Sequence, residues 1–175
     1  TEQLNQLGKD QIPFFFAIDF DLTNYYIAPL HQMNHDILFS LAGVCNFIPQ
    51  EINPLHPHLI IKQAISFEQY THAFNRVHTE MNNGNTYLLN LTFPTEIELN
   101  VGLLDLFFTS QAKFKLYFQD KFIVFSPERF IQITDNIIET YPMKGTIDAA
   151  IPKAKEIILA NDKERAEHTT VVDLL

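Results

Sequence analysis

The sequence predicts an α+β domain in which largely antiparallel sheets are layered against flanking helices. Apolar, branched and aromatic runs follow one another in blocks joined by short turn segments, as is typical of antiparallel strands. Patterns with helical spacing separate these blocks. With 175 residues, 46% of them hydrophobic, the chain is long enough to form one such domain around its own core.

The first part of the chain contains strand patterns followed by a helix. We predict strands over 13–20, 35–44 and 59–65. The second run is long enough that a helix remains an alternative. Ser66 and Gln69 have the spacing of a capping box, and apolar residues recur at helical spacing after them. We expect this helix to end at Gly84, because glycine readily adopts the backbone conformation that closes helices.

A further strand and a short helix are predicted in the middle of the chain. Residues 86–93 are rich in strand-forming side chains, and Pro94 ends the run because proline cannot donate a backbone hydrogen bond. Asn100 precedes an apolar pattern at helical spacing. We therefore expect Asn100 to cap a short helix.

Four consecutive strands are predicted between 113 and 142. They form two hairpins, the first turning at Gln119-Asp120 and the second at Thr134-Asp135. Because apolar and polar residues alternate along these strands, we expect antiparallel pairing with one covered face.

Two helices end the predicted order, at 151–160 and 163–175. Asn161 and Glu164 have capping-box spacing at the start of the second. That helix stops inside an apolar stripe, without the glycine or basic last turn that usually closes a helix. We therefore expect a truncated chain, with residues 1–175 forming a single partial domain.

Composition excludes several classes of function. The 12 basic and 21 acidic residues give a net charge of −9, which argues against nucleic acid or an anionic membrane as the main partner. No apolar run reaches the roughly 20 residues of a membrane span. Cys45 is the single cysteine, which excludes an internal disulfide framework and indicates a reducing, cytoplasmic setting. We expect Cys45 to be a small core residue.

Ionisable groups lie beside turns in two segments. Glu128 follows a serine and a proline at a strand junction, where a carboxylate can act as a general acid if its pocket raises the pKa. The alternative is a solvated turn residue. Lys144 and Gly145 follow a strand in the sequence PMKGT. The glycine lets the backbone approach a ligand, and a desolvated lysine binds an anion or acts as a nucleophile. The alternative is an ordinary turn.

A third segment carries paired carboxylates. Glu164 and Glu167 are three residues apart, so they share one face of the last helix. Two such carboxylates can hold a hard cation such as Mg²⁺, directly or through water. The alternative is an exposed charged face. The chain has no P-loop, dinucleotide fingerprint or nucleophile elbow, so nothing indicates ATP, NAD or serine-hydrolase chemistry.

Taken together and in this order, the motifs resemble those of the chorismate-utilising enzymes. The matching stretches lie within 83–175 and read NGNTYLLNLTF, FIVFSPERFIQI, IETYPMKGTID and NDKERAEHTTVVDLL. The series of SPERF, PMKGT and KERAEH is specific. The resemblance implies that the chain supplies about half of the family fold, in which large, mostly antiparallel sheets are stacked between helical layers.

The resemblance implies a role for each site residue. Glu128 is similar to the general acid that assists departure of the C4 hydroxyl of chorismate. Glu167 is similar to a direct ligand of Mg²⁺, and Glu164 to a neighbour that touches the metal through water. Gly145 and Thr146 match residues that line the pocket for the chorismate ring.

Lys144 indicates the branch of the family. At this position the lysine-type aminodeoxychorismate synthases carry lysine, whereas other branches generally carry alanine. The implied product is 4-amino-4-deoxychorismate, a precursor of 4-aminobenzoate and folate, made from chorismate and ammonia through a covalent Lys144 intermediate. The alternatives are component I of anthranilate synthase, which Lys144 disfavours, and a truncated homologue that binds without turnover.

The resemblance also implies a partner. Ammonia in this family comes from a separate glutamine amidotransferase subunit, and no glutaminase motif surrounds Cys45. The remaining site residues of the family, including a second magnesium glutamate, lie beyond position 175. We therefore expect this chain to be inactive or nearly so by itself. The short amino-terminal region shows no counterpart of the tryptophan pocket of long family members, so feedback inhibition by tryptophan is not expected.

Overall fold

The computed structural model describes residues 1–48, 59–143 and 145–174. Within them, helices alternate with antiparallel strand pairs, which confirms the predicted α+β class. No helix in these ranges combines the length and hydropathy that a bilayer crossing needs.

The elements are numbered here in chain order. The helices of the described residues are α1 (Glu2–Lys9), α2 (Phe67–Asn82), α3 (Leu103–Thr109), α4 (Ala154–Ala160) and α5 (Asp162–Leu174), with a 3-10 turn at Leu30–Gln32. The strands are β1 (Phe14–Ile18), β2 (Tyr25–Pro29), β3 (Ile37–Leu41), β4 (Val44–Cys45), β5 (Leu59–Gln63), β6 (Glu96–Leu99), β7 (Phe114–Phe118), β8 (Phe122–Ser126), β9 (Gln132–Thr134) and β10 (Ile137–Glu139).

The chain divides into two compact units. The first consists of Thr1–Leu55 and Gly102–Pro127, and the second of His56–Val101 and Glu128–Leu175. The prediction of a single partial domain over 1–175 stays a prediction.

A four-stranded antiparallel sheet organises the first unit, in the order β4-β3-β7-β8. The β7–β8 hairpin turns at Gln119 and Asp120, as predicted. Both residues have positive φ, at 51° and 52°, which matches the twist of a two-residue hairpin loop. Strands β1 and β2 form a separate hairpin in the same unit.

Aromatic and aliphatic side chains form the core of the first unit. Ile37 and Phe107 are 0% exposed. The ring of Phe39 stacks on Phe15 at 5.3 Å between centroids, and Phe107 packs edge-on against Phe47 at 5.3 Å. Burial of such side chains is the main favourable term in folding, at about 25 cal/mol per Å².

Lys115 connects α3 to this sheet. Its ammonium donates hydrogen bonds of 2.8 Å to the carbonyl oxygens of Phe107 and Ser110, at the end of α3. It also lies 4.7 Å from the centroid of the Phe107 ring. A cation at a helix C-terminus satisfies carbonyls that have no partner within the helix. Partial burial lowers the pKa of Lys115.

The turn between β1 and β2 is held by one carboxylate. Asp19 accepts hydrogen bonds from the backbone N–H groups of Thr23 and Asn24 and from both of their side chains, over 2.7–3.0 Å. These bonds, led by the one from the Asn24 side chain, lower the pKa of Asp19 from 3.8 to about 2.

Smaller antiparallel pairs and helices make up the second unit. Strands β5 and β6 pair with each other, and β9 pairs with β10. Helix α2 begins with the predicted capping box, in which Ser66 and Gln69 exchange bonds. Its C-cap is Asn83, followed by Gly84 at a φ of +76°. Many large apolar side chains of this unit are exposed, including Phe67 and Tyr87.

Several sequence-based expectations were wrong. Residues 86–93 form no strand, and the strand of this region, β6, lies after Pro94. A strand requires a neighbouring backbone, and none of the ladders in the described residues includes 86–93. Helix α3 is capped by Gly102, not Asn100, and the Gly102 N–H donates to the carboxylate of Asp105 at 3.4 Å.

Burial was also mispredicted in two places. Cys45 is exposed on the two-residue strand β4, where its thiol donates to the Phe47 carbonyl at 3.4 Å. Strand β10 is exposed along its whole length, so alternation of residue type did not produce a covered face there. The β9–β10 turn lies at Asp135-Asn136, one residue later than predicted, with both φ values positive.

Other predictions were confirmed, but not every element of the structure was predicted. The run 35–44 contains strand β3, not the alternative helix. The predicted strands 13–20 and 59–65 contain β1 and β5. Helix α1 and strand β2 were not predicted. The apolar residues of α1 are Leu4 and Leu7 alone, too few to give a clear helical pattern in the sequence.

Phe107 is 0% exposed, so replacing it with alanine leaves a cavity in the core. We expect Phe107→Ala to lower the free energy of unfolding by about 3–5 kcal/mol. Urea unfolding followed by circular dichroism measures the change. Phe20 in the same unit is 99% exposed and gives the matched control, Phe20→Ala, with an effect below about 0.5 kcal/mol. Equal effects of the two variants would contradict the assigned core.

Asp19 is expected to make stability depend on pH in the acid range. Its folded pKa is below the unfolded value, so the stabilisation is complete above pH 3.8 and is lost as pH falls through about 2. Carboxyl NMR should give an Asp19 midpoint near 2. Asp19→Asn should remove this part of the acid dependence, and Asp21→Asn in the same turn should keep it. An Asp19 midpoint at its ordinary value would show that the four hydrogen bonds are absent.

Candidate active site

The predicted site residues of all three motif segments belong to the second unit. Glu128 is its first residue after the break at Pro127, the PMKGT segment follows β10, and the paired glutamates lie on α5. Contacts made by Met143 and Gly145 connect PMKGT to the other two segments.

Glu128 is joined to the PMKGT segment by a hydrogen bond. The backbone N–H of Met143 donates to the Glu128 Oε2 at 2.8 Å, across fifteen residues of chain. The Thr140 hydroxyl donates to the Phe130 carbonyl at 2.8 Å, so the two chain segments stay side by side beyond the β9–β10 ladder. The carboxylate of Glu128 is thereby held at the residue that directly precedes Lys144 in sequence.

Arg129 and Tyr141 lie at the same end of the hairpin, and sequence reasoning did not single them out. The guanidinium carbon of Arg129 is 5.5 Å from the centroid of the Tyr141 ring, within the range of a cation–π contact. A hydrogen bond to Glu139 is the largest cause that raises the pKa of Tyr141. The only sequence signal was their position inside SPERF and TYP.

Gly145 lies directly against α5. An added Cβ would be 2.9 Å from Cδ of Glu164 and closer still to its Oε2. The backbone of Gly145 also has a φ of +73°, which side chains rarely allow. The sequence predicted a close approach of Gly145 to a ligand, and in the chain itself that approach is made to a carboxylate.

Helix α5 begins where its cap was predicted. The Asn161 Oδ1 accepts the backbone N–H of Glu164 at 3.1 Å, which is one half of the capping box. The Glu164 side chain does not return this bond. It turns toward Gly145 and accepts a 3.2 Å hydrogen bond from the ammonium of Lys163. Its side chain is only 20% exposed.

Glu167 lies one turn further along α5 and is half-buried, like Glu164. The two carboxylates therefore share the face of the helix that is turned away from solvent. The hydrogen bond to Glu164, followed by the charges of Glu164 and Glu167, raises the pKa of Lys163. Lys163 is thus a cation beside both carboxylates.

The donor chemistry of this helix face fits a magnesium ion. Carboxylate oxygens are the ligands Mg²⁺ prefers, and it commonly keeps several waters while bound by one or two carboxylates. In the part of the chain that the structure describes, no group of three His, Cys, Asp or Glu residues converges on one point. Glu164 and Glu167 would therefore hold the ion as a pair.

The remaining predicted site residues are Lys144 and Thr146. Thr146 is exposed and follows Gly145. Lys144 lies outside the described residues. The structure thus brings Glu128 to the Met143 backbone and Glu164 to Gly145, while the roles of all six predicted residues stay predictions.

Comparison with known proteins finds one matching family model and several similar proteins. A family model described as chorismate binding enzyme matches residues 9–175. An uncharacterised PabA-like protein of Pasteurella multocida is 46% identical over 175 residues, covering 99% of this chain and 54% of that protein. A protein of the same description from Haemophilus influenzae is 45% identical over 177 residues, covering 99% and 53%.

A more distant relative carries an activity in its name. Aminodeoxychorismate synthase component 1 of Escherichia coli is 31% identical over 120 residues, which cover 62% of this chain and 26% of that protein. The chain spans about half the length of the two PabA-like relatives. No solved structure matches.

Gly145→Ala is expected to destabilise the protein more than Gly84→Ala. Both glycines have positive φ, but an added Cβ meets Glu164 at Gly145 and nothing within 4 Å at Gly84. The backbone cost alone is about 1 kcal/mol, and the clash adds to it at Gly145. Chemical denaturation of both variants measures the difference.

A third variant tests the cause. Glu164→Ala removes the carboxylate that Gly145 contacts, so Gly145→Ala should lose its excess cost in that background. If the excess persisted without the Glu164 side chain, the contact between the loop and α5 would not be the reason for glycine at this position.

Proposed function

Because this chain belongs to the chorismate-binding enzyme family, we propose that it carries part of the active site of an aminodeoxychorismate synthase component I. The reaction would convert chorismate and ammonia to 4-amino-4-deoxychorismate and water. The similarity to the E. coli protein of that name and the lysine of PMKGT support this branch of the family. Because the chain spans about half of its curated relatives, the activity is proposed for the whole protein that contains it.

The observation that carries the proposal is the hydrogen bond between Glu128 and Met143. It places a carboxyl group at the residue next to Lys144 in sequence. A nucleophile and an acid near each other are what the covalent route requires, because one attacks the ring while the other protonates the leaving group.

The chemical steps balance with these two residues. The unprotonated Lys144 amine attacks C2 of chorismate, both ring double bonds shift, and the C4 hydroxyl leaves as water with a proton from Glu128. Ammonia then attacks C4, both double bonds shift back, and the C2–N bond to Lys144 breaks. The surplus proton of the added ammonia returns to Glu128. Lysine attacks only as the free amine, so the complete site must lower the pKa of Lys144.

Glu164 and Glu167 would hold Mg²⁺ in this proposal. The ion would supply positive charge for a substrate carboxylate, which explains how a protein with a net charge of −9 takes an anionic substrate. Gly145 and Thr146 would line the space for the ring. Gly145 has no side chain to occupy that space, and Thr146 is exposed beside it.

The proposal includes a source of ammonia. We propose that a glutamine amidotransferase subunit supplies it and that the reaction takes place in the cytoplasm. Free ammonium salts at high pH would replace the partner in an assay, which separates failure of the ammonia supply from failure of the chemistry.

The test is a product assay on the protein as its gene encodes it. Wild-type protein with chorismate, Mg²⁺ and ammonium should form 4-amino-4-deoxychorismate, followed by chromatography with mass detection. Lys144→Ala should lower the rate by at least about 10²-fold, because the covalent route is lost. Glu128→Gln should lower it by about 10²–10⁴-fold, because glutamine cannot donate the proton.

Two further measurements make the assay decisive. Intact-protein mass spectrometry without ammonia should detect a chorismate adduct, less one water, that is absent from Lys144→Ala. Lys153→Ala, at the N-cap of α4 and outside the motifs, is the matched control and should keep the wild-type rate. Anthranilate as product would favour the anthranilate synthase alternative. Absence of chorismate consumption would favour a homologue that binds without turnover.

A further inference from the structure

Lys163 is placed where it interacts with both proposed magnesium ligands. Its ammonium lies 3.2 Å from Oε1 of Glu164, and the negative charge of Glu167 acts on it as well. The lysine side chain is 80% exposed, whereas that of Glu164 is 20% exposed. The cation therefore approaches the carboxylate from the solvent side.

The other side of Glu164 is closed by the chain itself. Its Oε2 lies so close to Gly145 that an added Cβ there would clash with it. One oxygen thus faces the PMKGT backbone, while the other is bound by Lys163. A cation arriving from solvent would meet the ammonium at the oxygen that Lys163 holds.

We propose that Lys163 is a built-in counter-ion that competes with Mg²⁺ for Glu164. This inference rests on the proposed function, because it takes Glu164 and Glu167 as the magnesium ligands. Without the metal, Lys163 neutralises the partly buried carboxylate and keeps it oriented toward Gly145. When Mg²⁺ binds, the lysine gives up the Glu164 oxygen and swings into solvent, to which its exposed stem already gives access.

Electrostatics explains why Mg²⁺ can displace Lys163 from Glu164 and why Lys163 still lowers the affinity for Mg²⁺. Because the Lys163 side chain is 80% exposed, solvent screens its pairing with Glu164, and the pair can be broken at small cost. A dication attracts two carboxylates more strongly than a single ammonium does. The positive charge of Lys163 nonetheless remains close to the ion and opposes its binding, which sets the magnesium concentration that the site needs.

The experiment measures Mg²⁺ affinity directly, with no substrate present. Isothermal titration of the protein as its gene encodes it, at pH 7 and constant ionic strength, gives the dissociation constant. Lys163→Gln should bind Mg²⁺ about three- to tenfold more tightly than wild type, because one unit charge is removed near a dication in a high-dielectric setting. Lys163→Arg keeps the charge and should stay near the wild-type value.

Two controls decide what a change means. Lys155→Gln removes the same charge from helix α4. Because Lys163, and not Lys155, forms the ion pair with Glu164, this variant should leave the affinity within about twofold of wild type. Glu164→Gln should weaken binding. If Glu164→Gln bound as tightly as wild type, the ion would lie elsewhere and the inference would be overturned.

The remaining outcomes separate this inference from the proposed function. Unchanged or weaker binding in Lys163→Gln overturns the counter-ion role, even if the product assay succeeds. An equal gain in Lys155→Gln overturns it too, because net charge alone would be the cause. Failure of every variant to bind Mg²⁺ overturns both the inference and the metal site, while amination of chorismate is still decided by the Lys144 variants.

Discussion

The contact between Glu164 and Gly145 is the constraint on which the candidate site depends. It joins the PMKGT segment to α5, and it is possible only because residue 145 has no side chain. The Glu128–Met143 hydrogen bond fixes the same segment on its other side. Two motif segments are therefore positioned relative to one short stretch of backbone, through one close approach and one hydrogen bond. This arrangement makes a common role for the three motifs physically reasonable, since each motif alone has an ordinary structural explanation.

The two units differ in how they are stabilised. Every side chain that is buried and apolar in the described residues belongs to the first unit, where Ile37 and Phe107 are fully enclosed. The second unit carries the motifs on short ladders, with large side chains such as Phe130 and Ile138 exposed. Two-stranded ladders are marginal by themselves in water. The predicted site residues thus lie in the part of the described chain with the least core of its own, and local contacts such as the α5 cap hold them in place.

Charge is organised around the site in the same local way. The chain is acidic overall, yet Lys163 pairs with Glu164 and Arg129 lies over Tyr141. A local cation can change the sign of the potential that a small anion meets, even when the net charge is −9. The proposed exchange of Lys163 for Mg²⁺ follows the same principle, since either cation would neutralise carboxylate charge on α5.

By itself, the sequence determined the α+β class, the capping of α2 by Ser66, the start of α5 after Asn161 and the turn at Gln119-Asp120. These features depend on residues within about four positions of one another, so local propensity suffices. The motif order also identified the family. Tertiary structure decided that 86–93 is not a strand, that Cys45 is exposed and that Glu164 contacts Gly145. Pairing, burial and close approach depend on which distant segment lies alongside, and no local pattern in the chain carries that information.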